Sequence, residues 1–367
     1  MNEEKELGLL RDQIDALDQK IQQLINDRAN CAKQVADVKQ KYSQGEKIQF
    51  YRPEREAQVL RRVMDRNVGP IANEDMARIF REIMSMCLAL EEPLKVAFLG
   101  PQGTFTQAAA LKHFGHSVIC ESQVSIGDVF REVESGVVQY GVVPVENSTE
   151  GVVTHTLDSF AQSPLQICGE VALRIHHHFL LKDDLNQKGS GKLNKVYSHP
   201  QSLAQCRQWL DTHWPHLERI PVSSNAEAAK RASQENNAAA IAGDAAAQLY
   251  GMNIHANSIE DMPDNTTRFL IIGKQKTQTS GADKTSIMVS SRNQSGALYY
   301  VLEPFHKAGV SLTRIETRPS RNGAWNYNFF IDFEGHVGEA LISDVLKQVG
   351  VAASDLKILG SYPKAVL

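Results

Sequence analysis

A stripe of aliphatic residues at helical spacing dominates the start of the chain. Leu10, Ile14, Leu17, Ile21, Leu24 and Ile25 recur three or four residues apart, and Ala32, Val35 and Val38 continue the series. That is the period of one helix face. No proline interrupts it, and after Gly8 the next glycine is Gly45. The spacing predicts a helix from residue 7 to about 41, ended by Ser43-Gln44-Gly45. A helix of about 35 residues is a rod roughly 50 Å long. One small bundle cannot cover such a stripe, so it calls for a partner chain, and we expect a homodimer or higher homo-oligomer.

Two further helices complete an all-α segment. One runs from Pro53, a favoured first-turn residue, to about Arg66, before Gly69-Pro70. The other follows Asn73, a good N-cap, and ends near Glu92. At Pro93 the pattern changes. Strands are expected at 94–99, 118–120, 140–145 and 196–198, an extended run at 171–181, and strands at 238–242 and 269–272. Helices are expected at 106–114, 126–133, 201–213, 226–233 and 244–250. Such alternation argues for α/β lobes with mainly parallel sheets and a cleft between two lobes. After a polar linker at 274–283 comes strand 285–291, helix 297–307, strand 310–317, strand 326–332, helix 337–348 and strand 356–360. That βαββαβ order is the ferredoxin-like arrangement. We expect three domains, 1–92, 94–273 and 284–362, which suits a chain of 367 residues.

A net charge of -4 gives no reason to expect nucleic acid or an anionic membrane. No apolar run approaches the roughly 20 residues of a membrane span. The polar, acidic start is not a secretory signal. Five scattered cysteines form no CxxC pair, so reduced thiols and a cytoplasmic location are expected.

The chemistry sits at strand ends. Asp264-Asn265-Thr266-Thr267-Arg268-Phe269 places two hydroxyls and a guanidinium at the mouth of a strand. Gly100-Pro101-Gln102-Gly103-Thr104-Phe105-Thr106 follows a strand and opens a helix, where backbone amides attract anions. Its spacing matches no nucleotide fingerprint. Glu146-Asn147-Ser148-Thr149-Glu150-Gly151, Ser198-His199-Pro200-Gln201 and Gln205 also end strands or open helices. Adjacent residues of the extended run His176-His177-His178 point to opposite faces, so a shared metal is not expected. His199 is open between an acid-base role and capping the next helix. On the first helix, Arg28 and Lys39 are eleven residues apart and share a face, whereas Arg11 is rotated from Arg28 by about 100°. Arg11 therefore does not serve the same pocket from the same chain.

Together these motifs resemble a known family. From about residue 95 to 272 the chain resembles prephenate dehydratase. Leu10-Arg11, Leu17-Asp18, Arg28, Lys39 and Pro53-Glu54-Arg55-Glu56 resemble the all-helical chorismate mutases. Gly296-Ala297-Leu298 and Glu316-Thr317-Arg318-Pro319 resemble ACT domains that bind phenylalanine at a subunit interface. The whole is similar to the bifunctional chorismate mutase/prephenate dehydratases. The resemblance implies chorismate to prephenate to phenylpyruvate, with phenylalanine inhibiting and no metal or other cofactor. In the mutase it implies that Arg28, Lys39, Arg55, Glu56 and Glu91 line the pocket and Arg11 enters from the partner. Lys39 would donate to the breaking ether bond, and Glu56 would accept from the substrate hydroxyl. In the dehydratase it implies Thr267 as donor to the leaving hydroxyl, Arg268 on a carboxylate, and Asn147, Ser198 and Gln205 as orienting groups.

Four positions depart from the best-known pattern. Cys87 stands in place of Ser, Glu91 in place of Gln, Arg52 in place of an acid, and Ser311 in place of a frequent Asn. A Glu91 donor must be protonated, so mutase activity is expected to fall as pH rises through its pKa. Two other functions fit parts of the sequence: a dehydratase for prephenate or arogenate with a structural helical domain, and a ligand sensor without turnover.

Overall fold

The computed structural model describes residues 3–43, 49–182, 193–291, 294–319 and 327–367. The start of the expected strand at 326–332, the end of the first helix at 44–45 and most of the polar loop at 182–194 lie outside the described residues.

Three helices come first: α1 (Glu3–Tyr42), α2 (Pro53–Asp65) and α3 (Asn73–Glu91). Asn73 is the first helical residue rather than the cap; Ala72 is the cap, and Asn73 Oδ1 accepts a bond from Asn67 at 2.8 Å. The apolar stripe of α1 finds little cover within one chain. Leu10, Ile14, Leu17, Ile21 and Leu24 are all more than half exposed.

Two α/β lobes follow. The first contains β1 (Lys95–Leu99), α4 (Phe105–Phe114), β2 (Ile119–Gln123), α5 (Ile126–Ser135), β3 (Tyr140–Asn147), β4 (Gly151–Val152), α6 (Thr154–Gln162) and β5 (Gln166–Arg174). The second contains β6 (His178–Leu181), β7 (Lys195–Ser198), α7 (Pro200–Gln205), α8 (Arg207–His213), β8 (Glu218–Pro221), α9 (Asn225–Ser233), β9 (Ala238–Ala242), α10 (Asp244–Tyr250) and β10 (Asn253–Ala256). The chain then returns to the first lobe as β11 (Thr266–Gly273). The sheet orders are β2-β1-β3-β11-β5, with β4 on β3, and β10-β6-β9-β7-β8.

The sheets are mixed, which corrects the expectation of mainly parallel pairing. β1 runs parallel to β2 and β3, and β7 to β8 and β9. β11 is antiparallel to both its neighbours, and so is β6. The reason is the double crossing between lobes. β5 runs toward the second lobe and β11 runs back from it, so the two lie side by side in opposite senses. The expected helix at 201–213 is divided at Cys206, because the Asp261 carboxylate accepts from the amides of Gln208 and Trp209 at 3.0 and 3.2 Å and caps α8 separately.

The last region is β12 (Asp283–Ser291), α11 (Ala297–Ala308), β13 (Leu312–Pro319), β14 (Tyr327–Glu334), α12 (Ala340–Ala352) and β15 (Asp355–Pro363). Its sheet is antiparallel, in the order β13-β14-β12-β15. It packs directly on the first lobe. Met288, Phe330, Leu359 and Tyr362 join the same core as Ile167 and Leu270. A Cβ on Gly360 would lie 2.3 Å from the Ile167 carbonyl, so only glycine allows this approach. The segment 274–283 is not a free spacer either. Gln275, Thr277, Ser280 and Asp283 are buried, and Arg61 of α2 donates to the Ser280 and Ala282 carbonyls.

Candidate active sites

Near the end of α1, Lys39 lies 3.9 Å from Glu91 of α3 and 5.1 Å from the centre of the Phe50 ring. Burial raises the Glu91 pKa, and the charges of Lys39 and Arg28 pull it back only partly. Glu91 Oε2 is buried without a hydrogen-bond partner. Arg28, Lys39 and Glu91 therefore form one electrostatic group. Arg11, Arg52 and Arg55 are exposed and stand outside it. Glu56 is turned away: it pairs with Arg81 at 3.4 Å, where the helices meet the first lobe. Burial is what raises its pKa. Arg81 in turn donates to the Lys112 carbonyl of α4 at 2.6 Å. Within this chain Glu56 helps join two regions rather than facing Lys39.

Between the lobes lies a cleft of about 510 Å³. Helices α4, α6 and α9 reach it with their first residues: Thr104 to Thr106, Val153 to His155, and Ser224 with Asn225. This follows from the fold, since each helix starts where a strand or turn ends at the cleft. Among the described residues no lysine or arginine lines it; Glu150 is its one carboxylate. Positive potential there comes from helix N-termini and amide groups.

Thr267 sits on β11 directly opposite Asn147 of β3. Asn147 Nδ2 donates to Thr267 Oγ1 at 2.8 Å and to Asn265 Oδ1 at 2.7 Å. Asn147 Oδ1 accepts from the amides of Thr149 and Glu150 at 3.0 and 2.9 Å. A backbone amide can only donate, so the orientation of the Asn147 amide is fixed. Thr267 is thereby an acceptor toward Asn147, and its own hydrogen is free to point into the cleft. Gln205 Oε1 accepts from Asn265 Nδ2 at 3.0 Å, and Gln205 Nε2 donates to Glu150 at 3.1 Å.

Two expected residues, Arg268 and Ser198, behave differently, and His199 takes the second of its two readings. Arg268, the next residue on the strand, faces away from the cleft. It donates to Glu170 at 2.9 Å, to Asp332 of β14 at 2.6 Å and to the Tyr362 hydroxyl of β15 at 2.9 Å. It joins the lobe to the last region and has no access to a cleft carboxylate. Ser198 is fully buried; its hydroxyl lies 2.9 Å from the Ile241 carbonyl and 3.0 Å from Asn225 Oδ1. It holds Asn225, which does line the cleft. His199 Nδ1 accepts from the Gln201 amide at 3.4 Å and caps α7, while burial lowers its pKa. Residues that sequence reasoning left without a role are Glu150, Asn225 and Asn265. Glu150 and Asn265 stood inside the quoted motifs, but only the cleft shows their side chains meeting.

In the last region, Gly296, at φ 78°, caps α11. Gly296, Ala297, Leu298, Tyr327 and Phe329 line a depression of about 270 Å³. Glu316, Thr317 and Pro319 lie on β13 beside this strand pair, opposite Phe330, Phe329 and Tyr327. Arg318 instead holds Asp158 of α6, at 3.1 and 3.2 Å.

Two family models match the chain, chorismate mutase type II over residues 10–92 and prephenate dehydratase over 96–277. The bifunctional chorismate mutase/prephenate dehydratase of Stutzerimonas stutzeri is 60% identical over 368 residues, covering 100% of both chains. The enzyme of the same description from Aquifex aeolicus is 44% identical, covering 99% of both. The crystal structure of Arthrobacter aurescens prephenate dehydratase in complex with L-Phe aligns with a TM-score of 0.67 at 32% identity, covering 74% of this chain and 90% of that one. A helical segment with clustered cations, a two-lobed cleft around Thr267 and full-length likeness to these enzymes agree: the chain belongs to the bifunctional chorismate mutase/prephenate dehydratases.

Proposed function

We propose the following division of labour. The helical domain, 1–92, rearranges chorismate without a covalent step, so it needs no nucleophile. Arg28 holds a substrate carboxylate and Lys39 donates to the ether oxygen as its bond breaks. Glu91, protonated, is the second donor to that oxygen; its raised pKa supports this reading. Arg55 adds a further cation to the pocket and Arg11 enters it from a partner chain, while Glu56 stays at the junction with Arg81. The exposed stripe of α1 supports a homodimer or larger assembly.

In the domain 94–273, prephenate loses carbon dioxide and its ring hydroxyl. The electron pair of the breaking carbon–carboxylate bond enters the ring and expels the hydroxyl. One proton is taken up, and the hydroxyl leaves as water. Thr267 donates to that oxygen, acting as a hydrogen-bond donor or relay because its own pKa is far from neutral. Asn147 and Gln205 orient it, and the N-termini of α4, α6 and α9 hold the carboxylates. The single observation that carries this is the Asn147–Thr267 bond, which leaves the threonine hydrogen free.

The domain 284–362 is a ferredoxin-like ACT domain, and phenylalanine binds beside Gly296, Ala297 and Leu298, completed by Glu316, Thr317 and Pro319 across a subunit interface, with Arg318 held by Asp158. A coupled assay tests the set. Purified protein is given chorismate, and prephenate and phenylpyruvate are followed separately with and without phenylalanine. Phenylpyruvate should appear and millimolar phenylalanine should suppress it. Dehydratase activity indifferent to phenylalanine would remove the regulatory claim.

A further inference from the structure

We infer that His177 is a positioning residue of the dehydratase: by donating to Gln205 Oε1 it holds the Gln205–Asn265 pair that braces Asn147 and, through it, Thr267. The inference rests on the role proposed above for Thr267.

The geometry is a chain with known ends. His177 is 2% exposed and sits at the crossing between the lobes, lining the cleft. Its Nε2 lies 2.9 Å from Gln205 Oε1. The other end of the Gln205 amide donates to the Glu150 carboxylate, which only accepts. Gln205 Oε1 is therefore an acceptor, and it accepts from both His177 and Asn265. His177 must carry its hydrogen on Nε2. Asn265, with its Nδ2 directed to Gln205, offers its oxygen to Asn147. Asn147, its oxygen held by the amides of Thr149 and Glu150, gives its nitrogen to both Asn265 and Thr267.

The surroundings hold the imidazole in that form. Its Nδ1 is buried with no hydrogen-bond partner, so nothing there competes for the proton. The backbone amide of His177 donates to Glu260 at 2.9 Å, which pins the residue, and Phe105 meets the ring edge-on at 5.7 Å. The charged and titratable groups nearest it are Glu260, His176 and His178. Burial, the largest influence, favours the neutral ring. Without His177, Gln205 Oε1 keeps one donor, and the side chain is held by Asn265 and Glu150 alone. Gln205 would then brace Asn265 less firmly, and Asn147, although its orientation is set by the amides of Thr149 and Glu150, would lose part of the support that holds it against Thr267.

The test compares full-length variants in one assay series. His177→Leu and His177→Phe remove the donor, the second keeping ring volume. His177→Gln keeps a donor near the Nε2 position. Thr267→Ala reports separately on the donor role. We expect kcat for prephenate to fall by about tenfold or more in the first two, with KM changed by less than about threefold. The Gln variant should recover most of the loss. Mutase activity of the same preparations, and their thermal unfolding, show that the chain is folded. If the Leu or Phe variant keeps wild-type kcat while Thr267→Ala is inactive, His177 has no such role. The same holds if the Gln variant is as slow as the other two in folded protein. If Thr267→Ala stays active, the donor assignment falls and this inference falls with it.

Discussion

The two active sites bind closely related dicarboxylates with opposite means. The proposed mutase pocket uses side-chain cations, Arg28 and Lys39 on one helix face, beside the acid Glu91. The dehydratase cleft has no lysine or arginine among its described lining residues, and in the proposed reading helix N-termini and amides take their place. The architecture explains the difference. In the helical domain the pocket lies along the sides of helices, where backbone amides are already used within the helix, so charge must come from side chains. In the α/β lobes, α4, α6 and α9 begin at the cleft, and their first amides are unpaired by any helix bond. A fold that aims helix ends at its cleft needs fewer cations there.

The sharpest way to break this comparison is to remove one chemical group from each site. Thr267→Ala should lower dehydratase kcat by roughly 10²–10³, the usual loss for a positioned donor, with mutase nearly intact. Lys39→Ala should do the reverse, lowering mutase by about 10²-fold and sparing the dehydratase on added prephenate. Separate rate measurements with chorismate and with prephenate decide. Equal loss of both activities in either variant would contradict two independent sites.

The sequence was most legible where one residue's neighbours in the chain also decide its place. Lys39 and Arg28 share a helix face by arithmetic alone, and the structure puts both beside Glu91. Thr267 at the mouth of a strand was legible for the same reason. Arg268 was not. Successive strand residues face opposite ways, so if Thr267 faces the cleft, Arg268 must face elsewhere. What lies there, Asp332 and Tyr362, comes from a region distant in sequence. Glu56 failed similarly, because its partner Arg81 belongs to the junction with the first lobe. The mixed sheets were hidden because strand direction depends on which lobe the chain is leaving, and alternation of elements does not carry that. The segment 274–283 was misjudged from its polarity; four of its side chains are buried, and Ser280 bonds to Asp283 and to Arg61.

A smaller effect separates the sites by pH. Glu91 donates only when protonated, and burial raises its pKa above the ordinary carboxylate value. Mutase activity should thus be full below that raised pKa and fall as pH rises through it. Negative substrate carboxylates in the pocket push the midpoint further up. Glu91→Gln keeps a donor that does not titrate, so its profile should be flat over the same range. A wild-type profile already flat from acid to alkaline pH would remove Glu91 as the donor. The dehydratase, whose proposed donor is a hydroxyl, should not share this midpoint.

The smallest expected difference is in salt dependence. Attraction between full charges near the surface is screened with a Debye length of about 10 Å at 0.1 M, falling to about 3 Å at 1 M. Arg28 and Lys39 are partly exposed, so KM for chorismate should rise several-fold across that range. The partial charges of helix ends are also screened, but they act within the first turn and at contact distance. KM for prephenate should therefore rise less, by about twofold or under. Parallel slopes for the two substrates would mean that cations reach the dehydratase cleft as well. The contrast between side-chain charge and backbone dipole would then have to be given up, even with both catalytic assignments intact.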